Sequence, residues 1–123
     1  MTKILIAEDD KDIRELIVIT LQFNGFTVDS VEDGQAAVEH LQKNPHYDII
    51  LMDVRMPRMT GYQACRALKE IETTKNIPVI FLSAKGQEQE IQTGIEAGAS
   101  DYILKPFSPD DLVQKIYKVL GGK

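Results

Sequence analysis

The chain has 123 residues, of which 43% are hydrophobic and 27% are charged, and its formal net charge at pH 7 is −5. This length fits one domain with a buried core, and the acidic balance argues against general nucleic-acid binding, which calls for a basic surface. The single cysteine excludes an internal disulfide, and neither a signal peptide nor a membrane-spanning segment is evident, so we expect a cytoplasmic protein.

Five short apolar runs along the chain each predict a β-strand. They are KILIA (3–7), FTVDSV (26–31), DIILMD (48–53), IPVIFLS (77–83) and DYILK (101–105). The first, third and fourth runs are continuously apolar, as expected for strands buried on both faces of a parallel sheet. The run FTVDSV alternates between apolar and polar residues, which favours an edge strand.

Stretches with helical spacing separate the strands. Between Lys11 and Gly25, apolar residues recur every three to four positions and predict a helix that faces the sheet. Gly25 is expected to end this helix in the left-handed backbone conformation. These apolar residues are Ile13, Leu16, Ile17, Ile19 and Leu21. The first predicted strand and helix thus form one βα unit.

Capping signals mark two further helices. Asp33 stands where it can cap the second helix, and Ser108 followed by Pro109 begins the fifth. The third and fourth helices are predicted over GYQACRALKEI (61–71) and GQEQEIQTGIEAG (86–98). Five strand–helix alternations predict an α/β domain with a parallel sheet and helices on both faces.

Polar residues stand where four of the predicted strands end. Glu8 and Asp9 follow the first strand, Asp53 ends the third, Ser83 the fourth and Lys105 the fifth. In an open α/β sheet, ligands bind at the carboxyl ends of the strands. If the first and third strands are neighbours, the carboxylates lie close together and repel one another unless a cation intervenes. Mg²⁺ is the cation that such oxygen ligands suit best.

Acids, a hydroxyl and a lysine at one edge predict a site for a phosphoryl group, with Asp53 as the nucleophile that forms an acyl phosphate. Lys105 would contact the phosphate as a point charge. Each residue alone has an ordinary explanation, since Asp9 could cap a helix and Asp53 could belong to a turn. Their grouping on one edge favours the functional interpretation.

The chain resembles the receiver domains of two-component response regulators over essentially its whole length. The resemblance rests on ILIAEDD (4–10), DIILMDVRMPRMTG (48–61), FLSA (81–84) and DYILKPF (101–107), in that order. Ser83 and Lys105 stand 30 and 52 positions beyond Asp53, as in that family. The resemblance implies one receiver domain over residues 1–123, with a flavodoxin-like, doubly wound, five-stranded parallel sheet in the order 2-1-3-4-5 and five helices.

This resemblance also implies the roles of the site residues. Asp53 would accept a phosphoryl group from a histidine kinase or a phosphotransfer protein in a Mg²⁺-dependent reaction. Asp9 and Asp53 would bind the metal directly, Glu8 would act through water, and the main-chain carbonyl of Arg55 would complete the site. Lys105 would pair with a phosphoryl oxygen.

A conformational switch is the next implication of the resemblance. Ser83 would move toward the phosphoryl group, and Tyr102 would swing into the space that it leaves. The face formed by helix 4, strand 5 and helix 5 would then change its shape and so be recognised by an output partner.

The bond between Lys105 and Pro106 would be a cis peptide. Ser83 stands where threonine is common in the family, and the missing methyl group softens the expected coupling.

A second departure from the family pattern concerns two positions of helix 4. Ile91 and Thr93 stand where dimeric family members carry basic residues, so we expect a monomer or a weak, phosphorylation-dependent dimer. Arg55 and Lys85 flank the site at positions that tune phosphoryl lifetime. The output protein or effector domain is left open, and we expect neither direct nucleic-acid binding nor membrane contact by this domain.

Other functions fit the sequence less well. A degenerate receiver that binds proteins independently of phosphorylation is the main alternative. A phosphohydrolase of the haloacid dehalogenase type would carry an Asp-x-Asp motif on its first strand, whereas DVR (53–55) lies on the third. A flavin or nucleotide site needs a glycine-, serine- or threonine-rich loop where AEDDKDI (7–13) stands. We therefore expect a signalling domain, not an enzyme, with only self-catalysed phosphotransfer and slow self-dephosphorylation.

Overall fold

Strands and helices alternate along the chain as the sequence predicts. The structure, a computed structural model, describes residues 2–84 and 88–121, without the side chains of residues 84 and 88–91. Its elements are β1 (Lys3–Ala7), α1 (Lys11–Phe23), β2 (Thr27–Val31), α2 (Gly34–Lys43), β3 (Ile49–Asp53), α3 (Gly61–Lys69), β4 (Val79–Ala84), α4 (Glu88–Glu96), β5 (Asp101–Lys105) and α5 (Pro109–Val119). Lys85 and the side chain of Ile91, on which two expectations rest, lie outside the described residues.

The strands form one parallel sheet in the order β2-β1-β3-β4-β5. This order confirms the predicted doubly wound fold. The alternating strand β2 pairs only with β1 and is an edge strand, also as predicted. Strand β3 is central, and all five of its residues are buried, which explains why its sequence is so uniformly apolar up to Asp53.

Two apolar cores lie on opposite faces of the sheet. Alternate residues of a strand point to opposite faces, and in β1 Ile4 and Ile6 join one core while Leu5 and Ala7 join the other. Helices α1 and α5 cover the first of these cores, and α2 and α3 cover the second. The continuous apolar runs are therefore needed because each buried strand supplies side chains to both cores.

The apolar face of α1 is narrower than its sequence suggests. Ile17 and Leu21 are buried and Ile13 is half-buried against the same core, but Leu16 and Ile19 are 64% and 63% exposed. An α-helix advances about 100° per residue, so positions 13, 17 and 21 share one face, while positions 16 and 19 lie about 100° and 160° away from Ile17 around the helix axis. The prediction that all five apolar residues face the sheet is wrong for Leu16 and Ile19.

The predicted helix ends are confirmed. Asp33 accepts a hydrogen bond from the Ala36 N–H as the cap of α2, and Ser108 caps α5, which begins at Pro109. Gly25 follows α1 with φ +90°. Among the helices that the structure describes, none has the length and hydropathy to cross a lipid bilayer.

Candidate functional site

Three carboxylates meet at the carboxyl edge of the sheet. Strand β3 ends in Asp53, β1 runs directly into Glu8 and Asp9, and the two strands are hydrogen-bonded neighbours. One ligand oxygen from each acid lies within 4.8 Å of those from the other two. Glu8 and Asp53 are 1% and 7% exposed, whereas Asp9 is exposed. The fold thus brings together three acids that are up to 45 residues apart in the sequence.

Hydrogen bonds fix Glu8 in this position. Its backbone N–H donates to the Val31 carbonyl at 3.2 Å, and its own carbonyl accepts from Arg14 Nη1 at 2.9 Å. Its side-chain Oε2 accepts from the Asp10 N–H at 3.2 Å. Asp10 in turn caps α1 by accepting from the Ile13 N–H at 3.0 Å. The acidic run therefore divides into two site residues and one helix cap.

Lys105 reaches the acids from the end of β5. Its Nζ lies 3.1 Å from Asp53 Oδ1 and 3.3 Å from Glu8 Oε1, and its side chain is 28% exposed. The peptide bond between Lys105 and Pro106 is cis. Lys105 thus contacts Glu8 and Asp53 directly, whereas Asp9 is exposed to solvent.

The electrostatics of this cluster disfavour full ionisation. Burial and the nearby charge of Asp53 raise the pKa of Glu8 to about 7, against the opposing effects of the Asp10 amide and Lys105. Burial alone would lower the pKa of Lys105, but the charges of Asp53 and Glu8 raise it above its usual range. The repulsion between the buried carboxylates thus favours a proton on Glu8 or a cation beside the acids.

The donor set of the cluster fits Mg²⁺. All three side chains offer hard oxygen ligands, and closely spaced carboxylates are stabilised as anions by a cation between them. Arg55 lines the same open pocket as Asp9 and follows Asp53 by two positions in the sequence. These residues would leave space for water or phosphate oxygens, as Mg²⁺ sites usually do.

The β3–α3 loop, residues 54–60, returns tightly to Asp53. The Gly61 N–H donates to the Val54 carbonyl at 2.9 Å, and a Cβ at Gly61 would overlap the carbonyl oxygen of Asp53. Thr60 then begins α3 through a reciprocal capping box with Gln63. A glycine is required here because helix and strand backbones touch directly.

Ser83 and Tyr102 lie on neighbouring strands. Ser83 is buried and follows Leu82, the register partner of Asp53. Tyr102 is the register partner of Phe81, so with the two-residue period of a strand Tyr102 and Ser83 point to the same face of the sheet. Tyr102 is partly buried, and Lys115 Nζ lies 5.6 Å from its ring centroid.

Two arginines near the site were not predicted from the sequence. Arg14 holds the Glu8 carbonyl, and Arg58 forms an ion pair with Asp33 across 25 positions. Asp33 was identified only as a helix cap. Neither arginine belongs to a local pattern, and their partners are set by the tertiary fold, so no sequence signal pointed to them.

Comparisons with known proteins agree with this geometry. The profile of the response regulator receiver domain matches residues 4–117. The chain is 42% identical over 118 residues to the phosphate regulon transcriptional regulatory protein PhoB of Escherichia coli K12, a match that covers 96% of this chain and 51% of PhoB. The chain thus spans about half the length of the curated relatives that it matches.

Solved structures match over nearly the whole chain. The chemotaxis protein CheY4 of Vibrio cholerae is 33% identical, with a TM-score of 0.90 and coverage of 97% of this chain and 98% of CheY4. The receiver domain of the sensor histidine kinase PA1611 of Pseudomonas aeruginosa PAO1 is 32% identical, with a TM-score of 0.90 and 98% coverage of both chains. With the shared fold and the profile match, the chain belongs to the response regulator receiver domain family of two-component systems.

Proposed function

We propose that this chain is a phosphorylation-dependent signalling receiver that accepts a phosphoryl group on Asp53 from a histidine kinase or a phosphotransfer protein. The observation that carries the proposal is the convergence of Glu8, Asp9 and Asp53 within 4.8 Å, with Lys105 Nζ 3.1 Å from Asp53 Oδ1. A half-buried lysine beside a nucleophilic carboxylate and a metal-binding acid cluster is the arrangement that phosphoryl transfer to a carboxylate requires.

The carboxylates of Asp9 and Asp53, the carboxylate of Glu8 through water and the main-chain carbonyl of Arg55 would hold Mg²⁺. When bound, the ion supplies charge neutralisation for the oxygens of the incoming phosphoryl group. The related PA1611 receiver domain holds a magnesium ion in its active-site cleft, which supports the same metal here.

Phosphoryl transfer then depends on the protein's own groups. A carboxylate oxygen of Asp53 forms a bond to phosphorus as the bond from phosphorus to the donor nitrogen breaks, and that electron pair stays on the donor imidazole. Lys105 already contacts Asp53 Oδ1, so it is within reach of a phosphoryl oxygen attached to that residue. Its charge would stabilise the acyl phosphate and the transition state that leads to it.

The switch is proposed for Ser83 and Tyr102. The buried Ser83 hydroxyl would donate to the new phosphoryl oxygens, and Tyr102, on the same face of the adjacent strand, would move into the space beside it. A phosphoryl group can shift this equilibrium only through contacts that differ between the two states. The surface formed by α4, β5 and α5 would carry the change to an output partner.

The biological setting follows as part of the same proposal. The domain would act in the cytoplasm as a monomer or as a weak, phosphorylation-dependent dimer, and would signal instead of turning over an external substrate. PhoB is a transcriptional regulatory protein about twice as long as the matched region, so an attached effector domain or a separate output protein would carry the response. The receiver itself, with its acidic net charge of −5, would not contact nucleic acid.

Intact mass spectrometry with a small acyl-phosphate donor and Mg²⁺ tests this function. We expect the wild type to gain one phosphoryl group, chelation to abolish the gain, and Asp53→Asn to show none. Asp110→Asn is the matched control, because Asp110 is an exposed acid at the start of α5 and should leave the reaction intact. A folded wild type that gains no phosphoryl group would instead favour the degenerate, scaffold-type receiver.

A further inference from the structure

The β3–α3 loop carries one of the proposed metal ligands on its backbone. Arg55 lies in this loop and lines the same pocket as Asp9. A main-chain carbonyl cannot adjust by rotating a side chain, so its position depends on the conformation of the loop as a whole. Whatever fixes residues 54–60 therefore also fixes this ligand.

Arg58 holds an unusual backbone conformation within the loop. Its φ is +66°, and no other non-glycine residue in the described part of the chain has a positive φ. L-residues with a Cβ rarely adopt this left-handed region because the Cβ approaches the following carbonyl oxygen. Such a conformation persists only where surrounding contacts impose it.

Asp33 supplies those contacts from outside the loop. Nε and Nη2 of Arg58 donate to Asp33 Oδ2 at 2.9 Å and 2.8 Å. The other oxygen, Oδ1, accepts from the Ala36 N–H at 2.8 Å as the cap of α2. Burial alone would raise the pKa of Asp33, but hydrogen bonds from the Ala36 N–H and Arg58 hold it below its usual range. Asp33 is therefore a buried, ionised residue that joins a helix end to the loop.

The loop also touches α2 through its backbone. A Cβ at Gly34 would overlap the carbonyl oxygen of Met59, so the first residue of α2 and the end of the loop are in direct contact. On its other side, the loop is tied to Val54 and Asp53 through Gly61. Arg58 thus lies between Val54 and Met59, two loop residues whose backbones are held by these contacts.

We propose that Asp33 and Arg58 are positioning residues for the metal site: their ion pair holds the β3–α3 loop against α2 in the strained conformation that sets the place of the Arg55 carbonyl. This inference rests on the proposed function, because it concerns the same Mg²⁺ site. It adds two residues that touch neither the metal nor the phosphoryl group. Outer partners that hydrogen-bond a metal ligand directly commonly change metal affinity by about 10- to 100-fold when they are removed, and Asp33 and Arg58 act one step farther from the metal, so we expect the lower end of that range.

Mg²⁺ affinity measured by titration calorimetry on the unphosphorylated full chain tests the inference. Arg58→Ala removes the guanidinium but keeps a Cβ that resists positive φ, so we expect affinity to fall about tenfold. Arg58→Gly also removes the guanidinium but tolerates positive φ, so its loss should be smaller. Asp33→Asn keeps an acceptor for the Ala36 N–H and removes the charge, and it should weaken binding without uncapping α2.

A double variant and a control complete the calorimetry. Combining Asp33→Asn with Arg58→Ala should be no worse than Arg58→Ala alone, because both changes break one contact. Lys75→Ala removes another ion pair, with Glu72, outside the site, and should leave Mg²⁺ affinity unchanged. Wild-type affinity in folded Arg58→Ala, or in folded Asp33→Asn if Arg58→Ala does not fold, would overturn the inference.

Hydrogen exchange in the metal-free protein separates this inference from the proposed function. The Gly61 N–H, bonded to the Val54 carbonyl, should exchange faster in Arg58→Ala than in the wild type. If the wild type binds no Mg²⁺, the proposed function and the positioning role fail together, whatever the exchange rates. If it binds Mg²⁺ and the affinity is unchanged in the folded variants, only the positioning role fails, even where exchange is faster.

Discussion

Lys105 carries a positive charge that contacts both buried acids of the site, Glu8 and Asp53. We expect Lys105→Met to slow phosphorylation of Asp53 by at least about tenfold, because a preorganised charge at the phosphoryl oxygens is lost. The same change should not weaken Mg²⁺ binding, since removing a cation leaves the carboxylates more attractive to another. Rates from intact mass and affinities from calorimetry would show this split, and phosphorylation at the wild-type rate would contradict the role of Lys105.

Glu8 gives the metal-free protein a predictable dependence on pH. Its pKa is about 7 in the folded state against an ordinary value of 4.5, so between these values the folded state binds more protons than the unfolded state. Stability from this group is therefore fully present below about pH 4.5 and is lost as the pH rises through about 7. In Glu8→Gln, this part of the pH dependence should disappear, and the free energy of unfolding at pH 7.5 should rise by on the order of 1–3 kcal/mol.

Urea unfolding in the presence of a chelator, from pH 5 to pH 8, measures this effect. The informative quantity is the difference in the free energy of unfolding between wild type and Glu8→Gln at each pH, because titrating groups away from the site contribute equally to both. A difference that grows as the pH rises toward 7 supports the raised pKa of Glu8. A constant difference across that range would show that Glu8 titrates normally.

At the scale of a single element, some apolar residues of α1 are buried in the core and others are exposed to solvent. Ile17→Ala should lower the free energy of unfolding by about 2–5 kcal/mol, because Ile17 is 2% exposed and its removal leaves a cavity. Phe23→Ala should change it by less than about 0.5 kcal/mol, because Phe23 is 90% exposed. Urea unfolding of the two variants decides the matter, and equal losses would place Phe23 in the core.

Structural features that depend on neighbouring residues could be predicted from the sequence, whereas contacts between distant segments could not. Strand β3 and the caps Ser108 and Asp33 were predictable, because apolar runs and capping residues act on their immediate neighbours. The site was predictable as far as parallel strands bring their ends to one edge. The Arg58–Asp33 pair was not, because it joins two loops whose approach depends on Gly34 and on the packing of α2. Leu16 and Ile19 were misplaced because an approximate three-to-four spacing does not fix which apolar residues share the buried face, and these two lie about 100° and 160° from Ile17 around the helix.

At the scale of the whole molecule, the sheet connects the site to the proposed output face. Asp53 pairs in register with Leu82 of β4, and β4 pairs with β5, which carries Tyr102. A conformational change at Asp53 would therefore be transmitted through β4 to Tyr102 on β5. Phosphorylation can favour the second state only through contacts that this state makes more strongly, and the Ser83 hydroxyl is the candidate for one such contact.

The four tyrosines of the chain make this coupling measurable by fluorine NMR of fluorotyrosine-labelled protein. On phosphorylation with Mg²⁺ and a small acyl phosphate, the Tyr102 resonance should shift. The Tyr47 resonance should not, because its hydroxyl is fixed at 2.7 Å from both Asp29 and His40. In phosphorylated Ser83→Ala, losing a hydrogen bond to a charged group, worth about 1.5–3 kcal/mol, should return the equilibrium roughly tenfold or more toward the resting state. A Tyr102 shift as large in Ser83→Ala as in the wild type would mean that Asp53 and Tyr102 communicate through a different contact.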